Sequence, residues 1–322
     1  MTTRLLAAAL FATASLPLPV QAQEYPSRPV TVVVPAAPGG TTDFTGRLIA
    51  DGLSKALNQR FIVENRGGAN GNVGNAAVAR AAPDGYTLLA AYSGYQVTNP
   101  AIYTNLTWDP IKDFAPVALA VKAPHVLVVK KDLPVKDLKE FVAYLKANPG
   151  KLSYGSAGIG SIPHIGGALF GQLTGTEMVH VPYRGTGPAM NDLIAGNIEV
   201  FITTPTAAVG HIESGNAKAL ALAATERHPV MPNVPTAAEA GVAGFDLTAW
   251  FALYAPAGTP KPIIDRLAAE AERIVQSPEF KARVEQQGAY AAFMGPAELG
   301  AFTKRELDHW GPVLKGANIK VE

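Results

Sequence analysis

The 322-residue sequence contains no cysteine, few charged side chains and almost no net charge. Without cysteine, the chain cannot be a disulfide scaffold, a protein with cysteine-ligated zinc or iron–sulfur, or an enzyme with a cysteine nucleophile. Charged residues make up 16% of the chain, against a usual ~25%. A net charge of +1 offers no basic footprint for nucleic acid. Disorder is excluded as well, because 48% of the residues are hydrophobic.

Long apolar runs are also absent, and the N-terminal run has the layout of a signal peptide over residues 1–22. Arg4 precedes an apolar stretch, and Val20-Gln21-Ala22 matches a small-x-small cleavage site. Pro17 and Pro19 interrupt this run, which is shorter than the ~20 residues that span a bilayer. No cysteine follows that would carry a lipid anchor. We therefore predict export and cleavage after Ala22, which leaves equal numbers of basic and acidic residues.

Short β-branched runs alternate with helical patterns along the rest of the chain. This alternation predicts an α/β fold with mainly parallel, doubly wound sheets. Strands are predicted at residues 29–35, 61–63, 86–92, 126–129, 152–154, 178–181, 200–202, 217–223 and 245–255. Helices are predicted at residues 42–57, 74–82, 135–148, 163–174, 188–196, 262–275, 278–287 and 296–314.

The last part of the chain breaks this rhythm, because one strand is followed by several helices. Such a pattern suits a chain that returns to an earlier domain and packs across it. The crossings are expected near residues 118–124 and 245–251. We predict a discontinuous first domain, residues 23–121 and 249–322, and a continuous second domain, residues 122–248.

Enzyme templates fail at residues that their chemistry requires. A G-x-S-x-G elbow is absent, and the six histidines never occur at the spacing of metal ligands. The stretch Gly155–Gly160 supplies two glycines of a phosphate-binding loop, but Ser161 stands where lysine is needed. A dinucleotide fingerprint would need glycine at the position of Pro163. Nothing in the sequence nominates an enzyme, a metal or a cofactor.

Two glycine-rich loops, one in each predicted domain, share a design. The first, Pro38–Asp43, and the second, Gly155–His164, each connect a strand to a helix. Glycine lets backbone N–H groups turn toward a ligand, and a helix N-terminus supplies positive potential. Hydroxyl side chains in both loops add donors. Each loop alone is also typical of an ordinary capped turn, but two of them facing each other across a cleft would hold a small anion.

Other polar and aromatic residues allow two interpretations each. Asp43 suits a helix cap or dipole partner better than a ligand group. Arg184 follows a strand and either pairs with a ligand carboxylate or forms a surface ion pair. The aromatic residues Phe44, Tyr92, Tyr95, Trp250 and Phe251 either line an apolar pocket or belong to the core.

These motifs, taken together, make the chain recognisable. It resembles the periplasmic solute-binding proteins of tripartite tricarboxylate transporters, the family of Bordetella uptake gene products. The resemblance covers residues 23–322, and its landmarks are YPSRPVTVVVPAAPGGTTD, ENRGGANGNVG, APDGYTLL, GSAGIGSIPHIGG, HVPYRGTGPAMNDLIAG, MPNVPTAAEAG and WFALYAPAGTP. It implies a two-domain periplasmic-binding-protein fold of type II with a ligand cleft between the domains.

The resemblance also implies a site, in which the two glycine loops hold one ligand carboxylate. The family often has aspartate after the strand that corresponds to Ile198–Ile202, whereas this chain has Thr203 and Thr204. Threonine cannot pair with a ligand ammonium as aspartate would, which favours an amine-free dicarboxylate or aromatic carboxylate such as terephthalate. The expected ligand-binding residues are Pro38, Gly39, Gly40, Thr41, Thr42, Phe44, Tyr92, Ser93, Ser156, Ala157, Gly160, Ser161, His164, Arg184, Thr203 and Thr204.

The expected function is capture and delivery. A monomeric, periplasmic protein would close its cleft on a small carboxylate and dock on the membrane permease subunits of a tripartite tricarboxylate transporter. The alternative is a ligand sensor that is read by a membrane receptor. An enzyme is the third and weakest class.

Overall fold

A computed structural model describes residues 25–316, so the predicted signal peptide lies outside the described residues. The strands are β1 (Val30–Val34), β2 (Phe61–Asn65), β3 (Thr87–Tyr92), β4 (Phe114–Lys130), β5 (Ser153–Ser156), β6 (Val179–Pro182), β7 (Val200–Thr203), β8 (Ala217–Ala223), β9 (Thr248–Pro256) and β10 (Tyr290–Met294). The helices are α1 (Thr41–Leu57), α2 (Asn72–Ala79), α3 (Asn99–Ile102), α4 (Leu138–Ala147), α5 (Ile162–Thr174), α6 (Thr186–Ala195), α7 (Pro205–Glu213), α8 (Lys261–Gln276), α9 (Pro278–Glu285) and α10 (Pro296–Gly316). A π-helical turn, Gly94–Thr98, precedes α3.

All the strands are linked through β4. The order of pairing is β2-β1-β3-β9-β4-β7-β5-β6, and β8 and β10 also pair with β4. Residues 114–124 of β4 pair with β9, and residues 125–130 pair with β7 and β8. We call β2, β1, β3, β9, β10 and residues 114–124 the first half-sheet. The second half-sheet comprises residues 125–130 with β8, β7, β5 and β6.

The α/β class is confirmed, but the expectation of mainly parallel sheets is wrong. Among the described strands, four pairs are parallel and five are antiparallel. The antiparallel pairs all involve β4 or β9. These two strands carry the chain from one half-sheet to the other and back, so they run in opposite directions. The division into two domains stays a prediction, and the change of pairing at Pro124 and Thr248 lies within both expected crossings.

Besides α3 and the π-helical turn, three elements were not expected from the sequence. The first part of β4 contains Pro116 and Pro124, which argue against a strand interior. In the structure a register shift in the pairing with β9 lies between Pro116 and Ala118, so the proline is accommodated at an irregularity. Helix α7 begins at Pro205 and spans only nine residues. Strand β10 is YAAFM, and its alanines have low strand propensity.

Each half-sheet has its own apolar core between its strands and the covering helices. In the first, Val32 and Leu88 belong to separate strands and Leu53 to α1, and all three are fully buried. In the second, Leu127 packs in one cluster with Phe141 of α4 and Phe170 of α5. These cores anchor the strands, so the loops at the strand ends are held in place where the two half-sheets meet.

Helix α10 connects the two half-sheets on another side. Leu314, near its end, is buried in a cluster with Ile102 of α3 and Ile165 of α5. Trp310 packs against the cores of both half-sheets. Within residues 25–316, no helix combines the length and apolar character needed to cross a membrane.

Candidate functional site

A small cavity lies where the loops of the two half-sheets meet. Its volume is about 10 Å³, which is close to the room needed by one water molecule. The first half-sheet contributes the β1–α1 loop together with side chains of β3 and β9. The second contributes β4, the starts of α5 and α6, and the β7–α7 junction. The lining residues are Ala36, Gly40, Thr41, Thr42, Tyr92, Tyr95, His125, Pro163, Thr186, Thr203, Thr204 and Phe251.

Four helices begin at residues that line this cavity. Gly40 to Thr42 lie at the start of α1, Pro163 at the start of α5, Thr186 at the start of α6 and Thr204 at the N-cap of α7. The first-turn amides of a helix have no intrahelical acceptor, and each N-terminus carries about half a positive charge. None of these four helices has a side-chain cap. The cavity is therefore an environment that favours an anion.

Direct contacts hold the two half-sheets together around the cavity. The hydroxyls of Thr41 and Thr204 share a hydrogen bond across it. A Cβ atom placed on Gly187 would lie 2.4 Å from the carbonyl oxygen of Pro38. The β1–α1 loop and the start of α6 are thus in van der Waals contact, and the cavity is closed on this side.

Two residues of the second half-sheet that line the cavity, Thr203 and His125, carry buried polar groups without a complete set of partners. The Thr203 hydroxyl is buried and has no hydrogen-bond partner among the described residues. His125 is 1% exposed, and its Nδ1 lies 3.1 Å from the carbonyl oxygen of Leu247. Burial lowers the pKa of His125 to about 4, so the ring is neutral near pH 7. Both residues supply uncharged polar atoms at this end of the cavity.

Aromatic side chains form the opposite wall. The rings of Tyr92 and Phe251 stack with centroids 5.3 Å apart, and Tyr95 meets Tyr92 edge-on at 4.9 Å. The Tyr92 hydroxyl lies near the backbone N–H of Ile162, at the start of α5, so this wall also reaches the second half-sheet. Burial raises the pKa of Tyr92 far above its usual range, so the hydroxyl stays protonated. This wall is apolar apart from the phenol hydroxyls.

Among the residues that the structure describes, the cavity lining contains no aspartate, glutamate, lysine or arginine. The carboxylate of the nearby Asp43 has a structural role. It accepts hydrogen bonds from the Gly39 amide at 3.2 Å and from Asn65 Nδ2 at 2.9 Å. It also pairs with Arg47 at 3.0 Å. Burial opposes the charge, but these hydrogen bonds outweigh it and lower the pKa of Asp43. Asp43 therefore shapes the loop that carries Gly40 and Thr41.

The second glycine loop turns its polar groups inward. The Ser161 hydroxyl donates to the Gly158 carbonyl at 2.7 Å, and the Ser156 hydroxyl lies 2.6 Å from His180 Nε2. The amide of Gly160 donates to His164 Nδ1 at 2.9 Å. As a result the loop residues Ser156, Ala157, Gly160, Ser161 and His164 lie outside the cavity lining. They pack against α3 and the loop before α2 instead, where Gly160 faces Ile102 and Gly158 faces Asn70.

The remaining expected site residues lie elsewhere. Phe44 is half-buried against the core of the first half-sheet. The hydroxyl of Ser93 accepts from the Trp250 amide at 3.1 Å, and Ser93 lines a different cavity, of about 20 Å³. Arg184 is exposed, and no ion pair or hydrogen bond of its side chain occurs within the described part of the chain. Pro38 and Gly39 are exposed on the loop rim, next to Gly187.

Two stacked histidines beside the second loop predict a pH dependence of stability. The rings of His164 and His180 lie 3.9 Å apart, and burial lowers their pKa values to about 4 and about 3. The unfolded chain binds these protons from its ordinary pKa of about 6.5 downward. The free energy of unfolding should therefore fall as the pH drops from 6.5 toward 4, by at most ~1.4 kcal/mol per pH unit for each histidine. Urea titrations at pH 7.5, 6 and 4.5 measure this loss.

A matched pair of variants identifies the source of that loss. In His164→Asn, the side-chain oxygen can still accept from the Gly160 amide but does not titrate, so the loss between pH 6.5 and 4 should be smaller than in the native chain. His309→Asn changes an exposed histidine and should leave the pH dependence unaltered. A His164→Asn profile that coincides with the native one would contradict this explanation.

Three lining residues escaped sequence reasoning. His125 is the one polar side chain in the apolar run APHVLVV, and this isolation within a buried strand was an available signal. Thr186 follows Gly185 at the start of α6, where a small hydroxyl residue after glycine is a helix-start signal. Pro163 occupies the first turn of α5, a usual position for proline.

Within residues 25–316, no group of three or more histidine, aspartate or glutamate side chains is arranged to hold a metal ion.

Comparison with known proteins gives a consistent result. Residues 45–319 match the family described as "Tripartite tricarboxylate transporter family receptor". Protein BugT of Bordetella pertussis is 35% identical over 323 residues, which cover 99% of both chains. The structure of Rpa4515 from R. palustris with adipate is 35% identical, with a TM-score of 0.90, over 92% of this chain and 99% of that one. MatC from Rhodopseudomonas palustris with bound malate is 38% identical, with a TM-score of 0.85, over 90% of this chain and 100% of that one.

Proposed function

Because the chain belongs to the family of tripartite tricarboxylate transporter receptors, we propose that it is a periplasmic solute-binding protein for a small, amine-free carboxylate. One observation carries this proposal: four helices without side-chain caps begin at a single cavity, and none of the described residues that line it has a charged side chain. Oriented backbone amides and threonine hydroxyls can then hold a carboxylate without a lysine or arginine.

The same lining argues against an amine on the ligand. An ammonium group would be buried near four positive helix ends without a carboxylate to compensate it, which costs several kcal/mol in a cavity closed to water. The relatives Rpa4515 and MatC are described with adipate and malate, respectively, and neither compound has an amine. Terephthalate or a similar aromatic diacid stays a candidate, since Tyr92 and Phe251 offer an aromatic face.

In this proposal the ligand contacts come from both half-sheets. Gly40, Thr41 and Thr42 present the amides and hydroxyls of α1, while Thr203 and Thr204 present hydroxyls beside α7. Tyr92 provides an apolar surface. The second loop, with Gly160 and Ser161, acts indirectly by holding the start of α5 in place, because its own amides and hydroxyls bond within the loop.

Capture requires motion, because a dicarboxylate does not fit into about 10 Å³. We propose that the half-sheets separate by a hinge at the two crossings, residues 124–125 and 247–248, admit the ligand and close on it. The closed form would then dock on the permease subunits of the transporter. Ligand shifts this equilibrium only by its preference for the closed form.

A thermal-shift screen tests the proposal. At about 100 times its dissociation constant, a ligand adds ~2.7 kcal/mol of stability, which should raise the melting temperature by several degrees. Succinate, adipate, malate, citrate and terephthalate are the probes, with aspartate and glutamate as matched amines. At least one amine-free acid should shift the transition more than either amino acid. Silence across the whole panel, or a larger shift with aspartate or glutamate, would overturn the proposal.

A further inference from the structure

His125 is the one titratable side chain that the second half-sheet contributes to the cavity lining. It lies on β4 at the point where this strand changes partners, and its neighbour Val126 pairs directly with Thr203 of β7. The side chain is 1% exposed. His125 and Thr203 both line the cavity, but from opposite faces of the sheet, because Val126 shares the face of its partner Thr203.

His125 lines the cavity, and its hydrogen bond to Leu247 determines which of its ring nitrogens carries the proton. A backbone carbonyl can only accept, so Nδ1 must carry the proton that it shares with Leu247 O, 3.1 Å away. A neutral imidazole has one N–H, and burial with a pKa of about 4 keeps the ring neutral. Nε2 is therefore an unprotonated acceptor, and no hydrogen bond to it exists within the described part of the chain.

An acceptor in this place selects against most of the groups that a carboxylate ligand carries. A carboxylate oxygen has no proton to donate, so it would repel the Nε2 lone pair. An ammonium group could donate, but the cavity offers it no counter-charge. The chemistry that satisfies Nε2 is an uncharged O–H group. A buried acceptor that is left without a donor costs free energy, so its satisfaction discriminates between ligands.

We infer that His125 is a specificity-determining residue, whose Nε2 accepts a hydrogen bond from an O–H group of the bound acid. This inference deepens the proposed carboxylate-binding function and rests on it. Two sources supply the O–H group: a hydroxyl on the carbon chain, or the proton of a second, protonated carboxyl group. In either case the neighbouring Thr203 is free to donate its own proton to a carboxylate oxygen.

Matched pairs of acids test this inference by calorimetry at pH 8. The pairs are malate with succinate, 2-hydroxyglutarate with glutarate, and citrate with tricarballylate, which differ by a single hydroxyl. In at least one pair the hydroxy acid should bind about tenfold more tightly than its partner. Repeating the measurement at pH 5.5 distinguishes the two sources of the O–H group. If a protonated carboxyl group is the donor, the acid that lacks the hydroxyl should bind more tightly at pH 5.5 than at pH 8. Over this range the titratable lining residues His125, Tyr92 and Tyr95 keep their protonation states.

Two variants distinguish this role from a merely structural one. His125→Asn places an amide nitrogen near the position of Nδ1, so the bond to Leu247 is retained while the acceptor at Nε2 is lost. His125→Gln reaches the position of Nε2 and keeps an acceptor there. The preference for the acid with the O–H donor should disappear in His125→Asn and persist in His125→Gln. If His125 had only a structural role, its replacement would weaken the binding of both acids of a pair equally.

The outcomes separate the two proposals. If no carboxylate binds, the proposed function fails, and this inference fails with it. If carboxylates bind but no pair shows a preference at either pH, only the role of His125 is overturned. A preference that survives in His125→Asn overturns it as well. Should His125→Asn fail to fold, the ratio of the two dissociation constants within each pair, measured for the native chain and for His125→Gln, still tests the role of His125.

Discussion

The Gly187→Ala variant is expected to bind carboxylates roughly 5- to 150-fold more weakly than the native chain while remaining as resistant to urea. Gly187 lies in the first turn of α6, where its backbone is helical and alanine is at least as well accommodated as glycine. Its added Cβ would lie 2.4 Å from the Pro38 carbonyl oxygen of the opposite loop. Because this is a backbone atom, the two loops must move apart. Such overpacking costs roughly 1–3 kcal/mol, and an open cleft avoids it.

The effect should therefore fall on closure rather than on folding. Calorimetry with the strongest acid of the panel measures the affinity, and urea denaturation of the free protein measures stability. Gly210→Ala is the matched control: Gly210 lies within α7, and a Cβ there meets nothing within 4 Å. It should leave affinity unchanged. An unaltered affinity in Gly187→Ala would show that the ligand-bound form does not need the loop contact seen in the structure.

The Thr203→Val variant should weaken ligand binding without a loss of stability. Valine has nearly the shape of threonine, and the hydroxyl that it replaces is buried without a partner among the described residues. Because no protein hydrogen bond is lost, and the hydroxyl reaches water when the cleft is open, the free energy of unfolding of the free protein should not fall. If the hydroxyl donates to a ligand carboxylate, its loss should weaken binding by roughly tenfold or more. Urea midpoints and calorimetric dissociation constants are the two measurements.

Thr45→Val provides the comparison for this result. The Thr45 hydroxyl is likewise buried and unpartnered, but it faces a separate apolar cavity under α1. Its replacement should increase stability without a change in affinity. Equal affinity for Thr203→Val and the native chain would remove Thr203 from the ligand site, whatever its effect on stability.

Local elements of the fold were predictable because their signals are local. The helix expected at residues 42–57 is α1, Thr41–Leu57, and the strand expected at residues 217–223 is β8. Hydrophobic periodicity and flanking glycines are properties of a few adjacent residues. The first part of β4 could not be found in this way, since the pairing with β9 accommodates Pro116 at a register shift. That pairing involves residues more than a hundred positions away.

The candidate site was likewise predictable only in part from the sequence. Gly40 to Thr42, Tyr92, Thr203 and Thr204 were expected near a ligand, and they line the cavity. The second loop was expected to face the first, but its serines and His164 satisfy the loop's own amides and carbonyls. Competition between an internal partner and a ligand depends on distances of a few tenths of an ångström. Such distances cannot be read from residue types.

The sequence by itself determined the α/β alternation, the absence of cysteine chemistry, the two strand–glycine–helix loops and the family. All of these depend on composition or on the order of neighbouring residues. Only the tertiary structure decided which groups share a cavity. Hydrogen bonds between β4 and its partner strands bring both His125 and Thr203 to the cavity, and packing of the half-sheets brings the start of α6 against Pro38. Convergence of distant segments on one point is a property of the folded chain alone, and it decides which groups line the cavity.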